Sequence, residues 1–327
     1  MYLAKADRYD GMKYNYCGES GLKLPFLSLG MWYNFGFKEN FENMGNMLMT
    51  AFDLGITHFD LANNYGPPPG SAETNFGRHL NMELGAYRDQ IIVSSKAGYG
   101  MWEGPYGDFG SRKYLMASIN QSLKRTGLEY FDIFYSHRPD TDTPIEETMG
   151  ALADIVRQGK ALYVGISNYN PDQTRAAVAE LNRCGVRCLI HQHSYSMFNR
   201  TSERGLFDAI NETGIGSIAF SPLAQGQLTD RYIQGIPTDS RIAKGYYLKK
   251  EDITEEKLNK IIMLNEIAKS RGIKLAQLAL LWVMRRSEMT SVLIGASKPE
   301  QIIENAAIVK MPPLNADEQT EIDKILG

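Results

Sequence analysis

Four residues in the first half of the sequence have side chains that together could move a proton. Asp60 and Tyr65 are close in the sequence, and Lys96 and His137 follow later. A phenol has a pKa of about 10 and is a poor acid at neutral pH unless a nearby ammonium stabilises its anion. A carboxylate would keep that ammonium charged, and a neutral imidazole could donate a hydrogen bond to a substrate oxygen. If the fold gathers them, these side chains predict an acid that protonates a carbonyl oxygen.

Polar residues also stand at or near the ends of six successive apolar segments. They are Asp60, Lys96, His137, Asn168, Gln192 and Ser221. Taken singly, an Asp in such a place is usually a helix cap, a Lys usually extends to solvent, and a His is often structural. A shared site is expected only if the segment ends converge, because convergence directs all six side chains to one small area.

The elements that would produce this convergence are eight short strands alternating with amphipathic helices. The predicted strands are Leu27–Gly30, Thr57–Leu61, Ile91–Lys96, Phe131–His137, Ala161–Ser167, Cys188–Gln192, Gly216–Phe220 and Ser291–Ile294. Repeated strand–helix units require right-handed crossovers and a parallel sheet, and eight units close most simply into a barrel. The predicted fold is α/β, a single (β/α)8 TIM barrel domain over residues 1–327.

Turn and capping signals predict the remaining elements. A β-hairpin is expected over residues 13–25, and two helices, about 254–271 and 275–286, are expected between the seventh and eighth strands. Helix-capping signals occur at Thr143, Asn170, Ser297 and Asn315. Left-handed glycines are expected just after two helices, at Gly159 and Gly185.

Composition argues against several classes of protein. The 327 residues are 43% apolar and 22% charged, which is ordinary globular usage. A net charge of −3 gives no basic field for nucleic acid or an anionic membrane. The longest apolar run, Leu278–Met284, is too short to span a bilayer. The first residues lack an apolar secretory segment and the three cysteines suit a reducing compartment, so a cytoplasmic protein is expected.

Seven motifs, in this order and spacing, resemble those of the aldo-keto reductase superfamily. They are HFDLANNYG (58–66), SSKAG (94–98), YSHR (135–138), GISNY (165–169), HQHSY (191–195), AFSPLAQG (219–226) and IGASKPEQIIEN (294–305). NNYGPPPGSAE (63–73), KAGYGMWEGPYG (96–107) and YCGESGLKLP (16–25) are similar to the potassium-channel β-subunit branch, and within it to bacterial members that reduce L-glyceraldehyde 3-phosphate.

The resemblance implies an NADPH-dependent reductase that converts small aldehydes, such as L-glyceraldehyde 3-phosphate and methylglyoxal, to alcohols. It implies that Tyr65 donates the proton, Lys96 lowers its pKa, His137 orients the carbonyl and Asp60 pairs with Lys96. The substrate pocket would be lined by Trp32, Tyr65, Tyr99, Trp102 and His137. No metal is expected, and the branch implies a homo-oligomer, a tetramer or octamer.

The resemblance also distributes the cofactor over the strand ends. The positions near the nicotinamide are Gly30, Met31, Trp32, Asp60, Ser167, Asn168, Gln192 and Phe220. Those near the pyrophosphate are Ser221, Pro222, Leu223, Gln225 and Gly226, and those near the adenosine are Gly295, Ser297, Gln301, Glu304 and Asn305. Arg231 and Arg241 correspond to basic positions near the 2′-phosphate, whereas Gln301 stands where many relatives outside the channel branch have Arg.

Other interpretations of these residues stay open. Phe220 could be plain core, Arg231 and Arg241 could be surface charges, and Ser297 could serve as a helix cap. A metal-dependent hydrolase is a rival because His191 and His193 share one side of a strand, although no acidic cluster accompanies them. A channel-type β subunit that binds the cofactor but mainly serves a partner protein is the second rival.

Overall fold

Eight parallel strands form a closed barrel, and a separate two-stranded antiparallel hairpin precedes it. The computed structural model describes residues 2–233, 235 and 249–327. The strands are β1 Tyr14–Tyr16, β2 Lys23–Pro25, β3 Leu27–Gly30, β4 His58–Asp60, β5 Ile92–Ala97, β6 Phe131–Ser136, β7 Ala161–Ser167, β8 Cys188–Ser194, β9 Gly216–Phe220 and β10 Ser291–Ile294. The helices are α1 Phe41–Asp53, α2 Ser71–His79, α3 Arg112–Thr126, α4 Ile145–Arg157, α5 Pro171–Arg183, α6 Leu206–Thr213, α7 Glu255–Ser270, α8 Leu275–Val283, α9 Pro299–Ala306 and α10 Ala316–Leu326.

The strands lie around the barrel in chain order, and β10 pairs with both β9 and β3 to close it. One helix follows each strand from β3 to β8, whereas α7 and α8 both fall between β9 and β10. The predicted (β/α)8 barrel, hairpin and extra helices are therefore confirmed. Within the described ranges, no helix is long and apolar enough to cross a membrane.

Side chains alternate between the inside of the barrel and the shell of helices, as the strand period requires. The outward side chains pack with the helices into the larger apolar cluster. A smaller cluster fills the inside, where Tyr135 and Ile218 meet Leu24 and Cys17 of the hairpin region. The hairpin segment lies against the chain just before β9, since the backbone N–H of Glu19 donates to Gly214 O at 2.9 Å. The hairpin thus covers the amino-terminal end of the barrel.

Two of the four predicted helix caps are confirmed. The side chain of Asn170 accepts from the backbone N–H of Gln173 at 2.9 Å, and Gln173 reaches back to the N–H of Asn170 at 3.0 Å. Asn315 and Glu318 make the same reciprocal pair. Each arrangement satisfies backbone donors that a helix start leaves without partners.

The predicted cap at Thr143 is wrong. Helix α4 begins at Ile145 with Pro144 in the cap position and no side-chain cap. The Thr143 hydroxyl donates instead to the Asp140 carboxylate at 2.6 Å, and the backbone N–H groups of Asp142 and Thr143 donate to the same side chain. A charged acceptor in the preceding loop therefore outcompetes the helix end for this hydroxyl.

The predicted cap at Ser297 is also wrong by one residue. Helix α9 begins at Pro299, Lys298 takes the cap position, and its side chain makes no capping hydrogen bond. The backbone N–H and the hydroxyl of Ser297 lie 2.8 and 3.3 Å from the side-chain oxygen of Gln301. The amide of Gln301 therefore folds back over the segment that precedes the helix.

Candidate active site

A buried ion pair occupies the inside of the barrel near the carboxyl ends of β4 and β5. The two strands pair Asp60 with Ser94, which puts Lys96 one step farther along the same face. Lys96 Nζ lies 2.5 Å from Asp60 Oδ2 and also donates to Leu61 O at 2.6 Å. Asp60 Oδ1 accepts from Ser94 Oγ at 2.7 Å and from Gln192 Nε2 at 3.2 Å. Both charged side chains are at most 1% exposed, so these contacts replace their hydration.

Tyr65 and His137 lie beside this pair. Tyr65 belongs to the loop after β4, and its ring centroid is 4.9 Å from Lys96 Nζ. His137 directly follows β6, and its backbone N–H donates to Ala97 O at 2.9 Å, which ties it to the end of β5. The Tyr65 and His137 rings meet edge to face with centroids 5.9 Å apart. The structure thus brings together the four side chains that the sequence analysis singled out.

Burial sets the protonation state of these groups. Burial and the positive charges of Lys96 and Arg138 lower the pKa of His137 well below 6.5, so its imidazole is neutral at neutral pH. Its Nδ1 is buried without a hydrogen-bond partner among the described residues. Burial, with Asp60 and Tyr99 adding to it, raises the pKa of the Tyr65 phenol well above 10.

The raised pKa of Tyr65 differs in direction from the lowering expected from Lys96. The main reason is burial, which disfavours the charged phenolate, and the negative charge of Asp60, paired with the ammonium at 2.5 Å, adds to the rise. Burial lowers the pKa of Lys96 itself, and the pairing with Asp60 opposes that shift. In this state the phenol holds its proton and is a hydrogen-bond donor.

Three of the aromatic residues predicted to line the pocket, Trp32, Tyr65 and Tyr99, form one group with His137 beside the ion pair. The Trp32 ring lies 6.4 Å from the Tyr65 ring, and the Tyr99 ring packs edge to face on His137 at 4.7 Å. Trp102 differs, because its ring packs against the Tyr114 ring at 5.1 Å. This ring contact is with helix α3 rather than with Tyr65 or His137.

The residues predicted near a nicotinamide lie at the carboxyl ends of neighbouring strands. Ser167 is the buried last residue of β7, and Asn168 follows it in the left-handed region with a φ of 64°. The Asn168 side chain donates to the backbone oxygen of His137 at 3.0 Å. Phe220 ends β9 half-buried, and Gln192, inside β8, already donates to Asp60. Gly30 ends β3, the buried Met31 follows it, and the Met31 N–H donates to Asp60 O at 2.9 Å.

The segment after β9 has an unusual backbone. Left-handed φ angles occur at Ser221 (53°), Ala224 (47°), Gln225 (60°) and Gly226 (96°), with Pro222 and Leu223 between them. Non-glycine residues seldom adopt such angles, and strained backbone of this kind concentrates at functional sites. The side-chain oxygens of Gln225 and Gln227 are buried without a partner among the described residues. Unmet amide groups here fit a ligand that carries hydrogen-bonding groups.

The other predicted cofactor positions follow β9 and β10. Arg231 lies in the short 3-10 helix Asp230–Tyr232, and Arg241 lies outside the described residues. Gly295 and Ser297 are exposed just after β10, Asn305 is buried in α9, and Glu304 pairs with Lys274 at 2.5 Å.

Several supporting residues were not anticipated from the sequence. The side-chain amides of Asn34 and Asn43 donate to the backbone oxygens of Ala296 and Ser297 at 2.7 and 2.9 Å, which fixes the segment after β10. Arg138 donates to Gly98 O at 2.6 Å and lies over the ring of Tyr99. The position of Arg138 beside His137 was an available signal, whereas the two asparagines carry no local one.

The paired histidines of β8 point away from this site. Since Gln192 faces the inside of the barrel, His191 and His193 on either side of it face outward. Both ring nitrogens of His193 are 2.8 Å from serine hydroxyls, those of Ser202 and Ser217, and His191 Nε2 donates to Tyr169 O at 3.1 Å. Burial lowers their pKa values, to about 4 for His191 and about 3 for His193. In the part of the chain that the structure describes, no group of three or more His, Cys, Asp or Glu could hold a metal ion.

Comparison with known proteins identifies the family. The model of the aldo/keto reductase family matches residues 27–327. The chain is 54% identical to L-glyceraldehyde 3-phosphate reductase of Escherichia coli K12, over 99% of this chain and 95% of that one. It is 36% identical to a probable voltage-gated potassium channel subunit beta of rice, over 96% and 95% of the two chains, and 37% identical to an Arabidopsis protein of the same name, over 93% of each. The chain therefore belongs to the aldo/keto reductase family and is an oxidoreductase.

Proposed function

We propose that this protein reduces small aldehydes to alcohols with NADPH, and that L-glyceraldehyde 3-phosphate and methylglyoxal are among its substrates. The observation that carries the proposal is the buried Asp60–Lys96 pair beside the Tyr65 ring, with a neutral His137 next to it. The identity to a relative named L-glyceraldehyde 3-phosphate reductase supports that aldehyde. Methylglyoxal follows from the resemblance to this branch.

The chemistry of the side chains supports Tyr65 as the acid. When bound, the reduced nicotinamide supplies a hydride to the carbonyl carbon. The Tyr65 hydroxyl then gives its proton to the carbonyl oxygen, which receives the electron pair of the broken C=O π bond. The Lys96 ammonium, 4.9 Å from the ring centroid, stabilises the phenolate that remains. His137 donates a hydrogen bond to the same oxygen and orients it, while Trp32 and Tyr99 limit access of water.

The experiment that tests this role is the replacement Tyr65→Phe. Loss of a general acid lowers turnover by about 10²- to 10⁴-fold, whereas the ring contacts with Trp32 and His137 persist. NADPH binding, measured by fluorescence titration, should stay close to wild type. Tyr99→Phe is the matched control, because it removes a hydroxyl from the other phenol beside His137. Near wild-type turnover in Tyr65→Phe would refute the assignment.

The residues present fit a dinucleotide across the mouth of the barrel. Ser167 and Asn168 would hold the carboxamide of the nicotinamide, and Gln225 and Gln227 would accept hydrogen bonds from the ligand through their unpaired amide oxygens.

The preference for NADPH over NADH rests on Arg231 and on Arg241 in the sequence. Arg231→Ala and Arg241→Ala should each raise the Kd for NADPH much more than that for NADH. Equal loss for both nucleotides would show that these arginines do not bind the 2′-phosphate.

A second candidate function is a cofactor-binding subunit that regulates a partner protein. The identity of 36–37% to plant proteins named probable voltage-gated potassium channel subunit beta favours it. The two functions differ in turnover. A reductase should oxidise many equivalents of NADPH in the presence of excess aldehyde, whereas a regulatory subunit should stop after about one equivalent per site.

We also propose that the chain forms a homo-oligomer, a tetramer or an octamer. The support is the resemblance to the channel β-subunit branch. Size-exclusion chromatography with light scattering tests this directly, and a monomer of 36.7 kDa at micromolar concentration would contradict it.

A further inference from the structure

A row of buried polar side chains crosses the inside of the barrel and ends at Asp60. Ser291 Oγ lies 2.7 Å from Ser28 Oγ, which lies 2.9 Å from His58 Nδ1. On the other side of the ring, His58 Nε2 lies 2.9 Å from Ser94 Oγ, which donates to Asp60 Oδ1 at 2.7 Å. All five side chains are at most 1% exposed. They come from β10, β3, β4 and β5, four strands that are neighbours around the barrel.

Counting protons fixes the direction of every hydrogen bond in this row. Asp60 is paired with Lys96 and can only accept, so the single hydroxyl proton of Ser94 points to Asp60. Ser94 must then accept from His58, whose proton is consequently on Nε2. Burial lowers the pKa of His58 to about 4, so the ring is neutral and its Nδ1 accepts from Ser28. Ser28 in turn accepts from Ser291.

We propose that His58, as the Nε2–H tautomer, is a positioning residue for the proton transfer at Tyr65, acting through Ser94 on Asp60. The inference rests on the proposed function for the role of Tyr65, but the tautomer does not. With the opposite tautomer, Ser94 would have to give its proton to His58 Nε2. Asp60 Oδ1 would then keep only the longer contact with Gln192, and the carboxylate that locates the Lys96 ammonium would lose its shortest neutral donor.

Strand β5 supplies a matched pair of variants. Ser94 and Ser95 are adjacent and fully buried, and each hydroxyl donates to a buried carboxylate that is paired with a cation. Ser95 Oγ donates to Glu73 Oε1 at 2.6 Å, and Arg125 binds the other oxygen of Glu73 on the outer side of the strand. The two serines therefore differ mainly in which carboxylate they orient.

Ser94→Ala should lower kcat by about tenfold, the usual effect of losing a hydrogen bond to a charged group, with the Kd for NADPH unchanged. Ser95→Ala should lose comparable thermal stability and keep wild-type kcat. Equal loss of kcat in both variants would overturn the proposal, because it would mark a general packing effect. Wild-type kcat in Ser94→Ala would overturn it as well.

The tautomer is measured directly on the whole protein by ¹⁵N NMR of the histidine rings. We expect His58 to carry its proton on Nε2 between pH 6 and 8, and a proton on Nδ1 would overturn the proposal even if the protein is a reductase. His58→Gln places an amide N–H donor within reach of Ser94, so it should recover most of the kcat that His58→Leu loses. Equal losses would contradict the role of the donor, whereas failure of the reductase function itself would appear in the wild-type protein, which would then stop after about one equivalent of NADPH.

Discussion

Replacing one partner of the buried Asp60–Lys96 pair should strongly lower the free energy of unfolding, because the other charge is then left without its partner. Replacing both partners together should cost much less than the sum of the two single losses. Lys96→Met leaves a carboxylate that is 1% exposed and whose donors among the described residues are then two neutral side chains, Ser94 and Gln192. An unpaired buried charge of this kind costs about 3–5 kcal/mol. Unfolding entropy of about 2.1 cal/mol/K per residue gives about 0.7 kcal/mol/K for 327 residues, so a loss of about 4 kcal/mol lowers Tm by about 6 °C.

Asp60→Asn should cost a similar amount, because it leaves the buried Lys96 ammonium with neutral oxygen acceptors such as Leu61 O and without a counter-charge. The double variant Asp60→Asn/Lys96→Met buries no charge, and its amide can still accept from Ser94. Its cost should therefore fall at least about 2 kcal/mol below the sum of the two single losses.

Urea denaturation at pH 7.5 of the wild type, the two single variants and the double variant provides the free energies of unfolding for this double-mutant cycle. Two results would refute the reasoning. Single variants that each cost less than about 1 kcal/mol would show that the interior tolerates the isolated charge. Losses that add to within about 0.5 kcal/mol would show that the pair does not act as one unit.

Two further predictions concern stability. Burial holds the pKa of His193 at about 3, whereas an unfolded His titrates at about 6.5, so the unfolded chain binds the extra proton as pH falls below 6.5. The contribution of the buried neutral imidazole to the free energy of unfolding is therefore complete above pH 6.5. At pH 5 the free energy of unfolding is lower by about 2 kcal/mol for each histidine buried in this way. Urea titrations from pH 7.5 to 5 should therefore show a shallower fall in His193→Gln, and an unchanged slope would contradict the burial argument. At Gly165, an added Cβ would lie 2.6 Å from Tyr135 Cε1 and 2.8 Å from Ile190 O, so Gly165→Ala should lower stability by about 1–3 kcal/mol. The control Gly150→Ala, in helix α4 with no atom within 4 Å of the new methyl group, should raise stability by about 0.5–1 kcal/mol, and a loss of stability there would count against the steric explanation.

The barrel strands were predictable because each is a short apolar segment, and six of the eight carry a polar residue at or near the end. Asp60 and Lys96 also stand out in the sequence, since a charge directly after an apolar run has to be exposed or paired. The two approach each other because β4 and β5 pair in parallel, which the repeated strand–helix pattern already implies. That these side chains lie together was therefore predictable from residue type and spacing.

What the sequence could not provide is the choice between competing partners. Thr143 has the right spacing for a cap, but the Asp140 carboxylate lies closer. His58 and Ser94 are unremarkable in the sequence, and their contact depends on the register between the adjacent strands β4 and β5. Trp102 is aromatic like Trp32, and only the loop geometry sends its ring to Tyr114.

Leu24 and Cys17 pack beneath the strands, so in the part of the chain that the structure describes the amino-terminal end of the barrel is filled, and a ligand would reach Lys96 from the carboxyl ends of the strands. Under the proposed function, NADPH and the aldehyde would therefore share this route to Lys96. A shared route would require the ligand that lies deeper to bind first and to leave last, whatever the two affinities are.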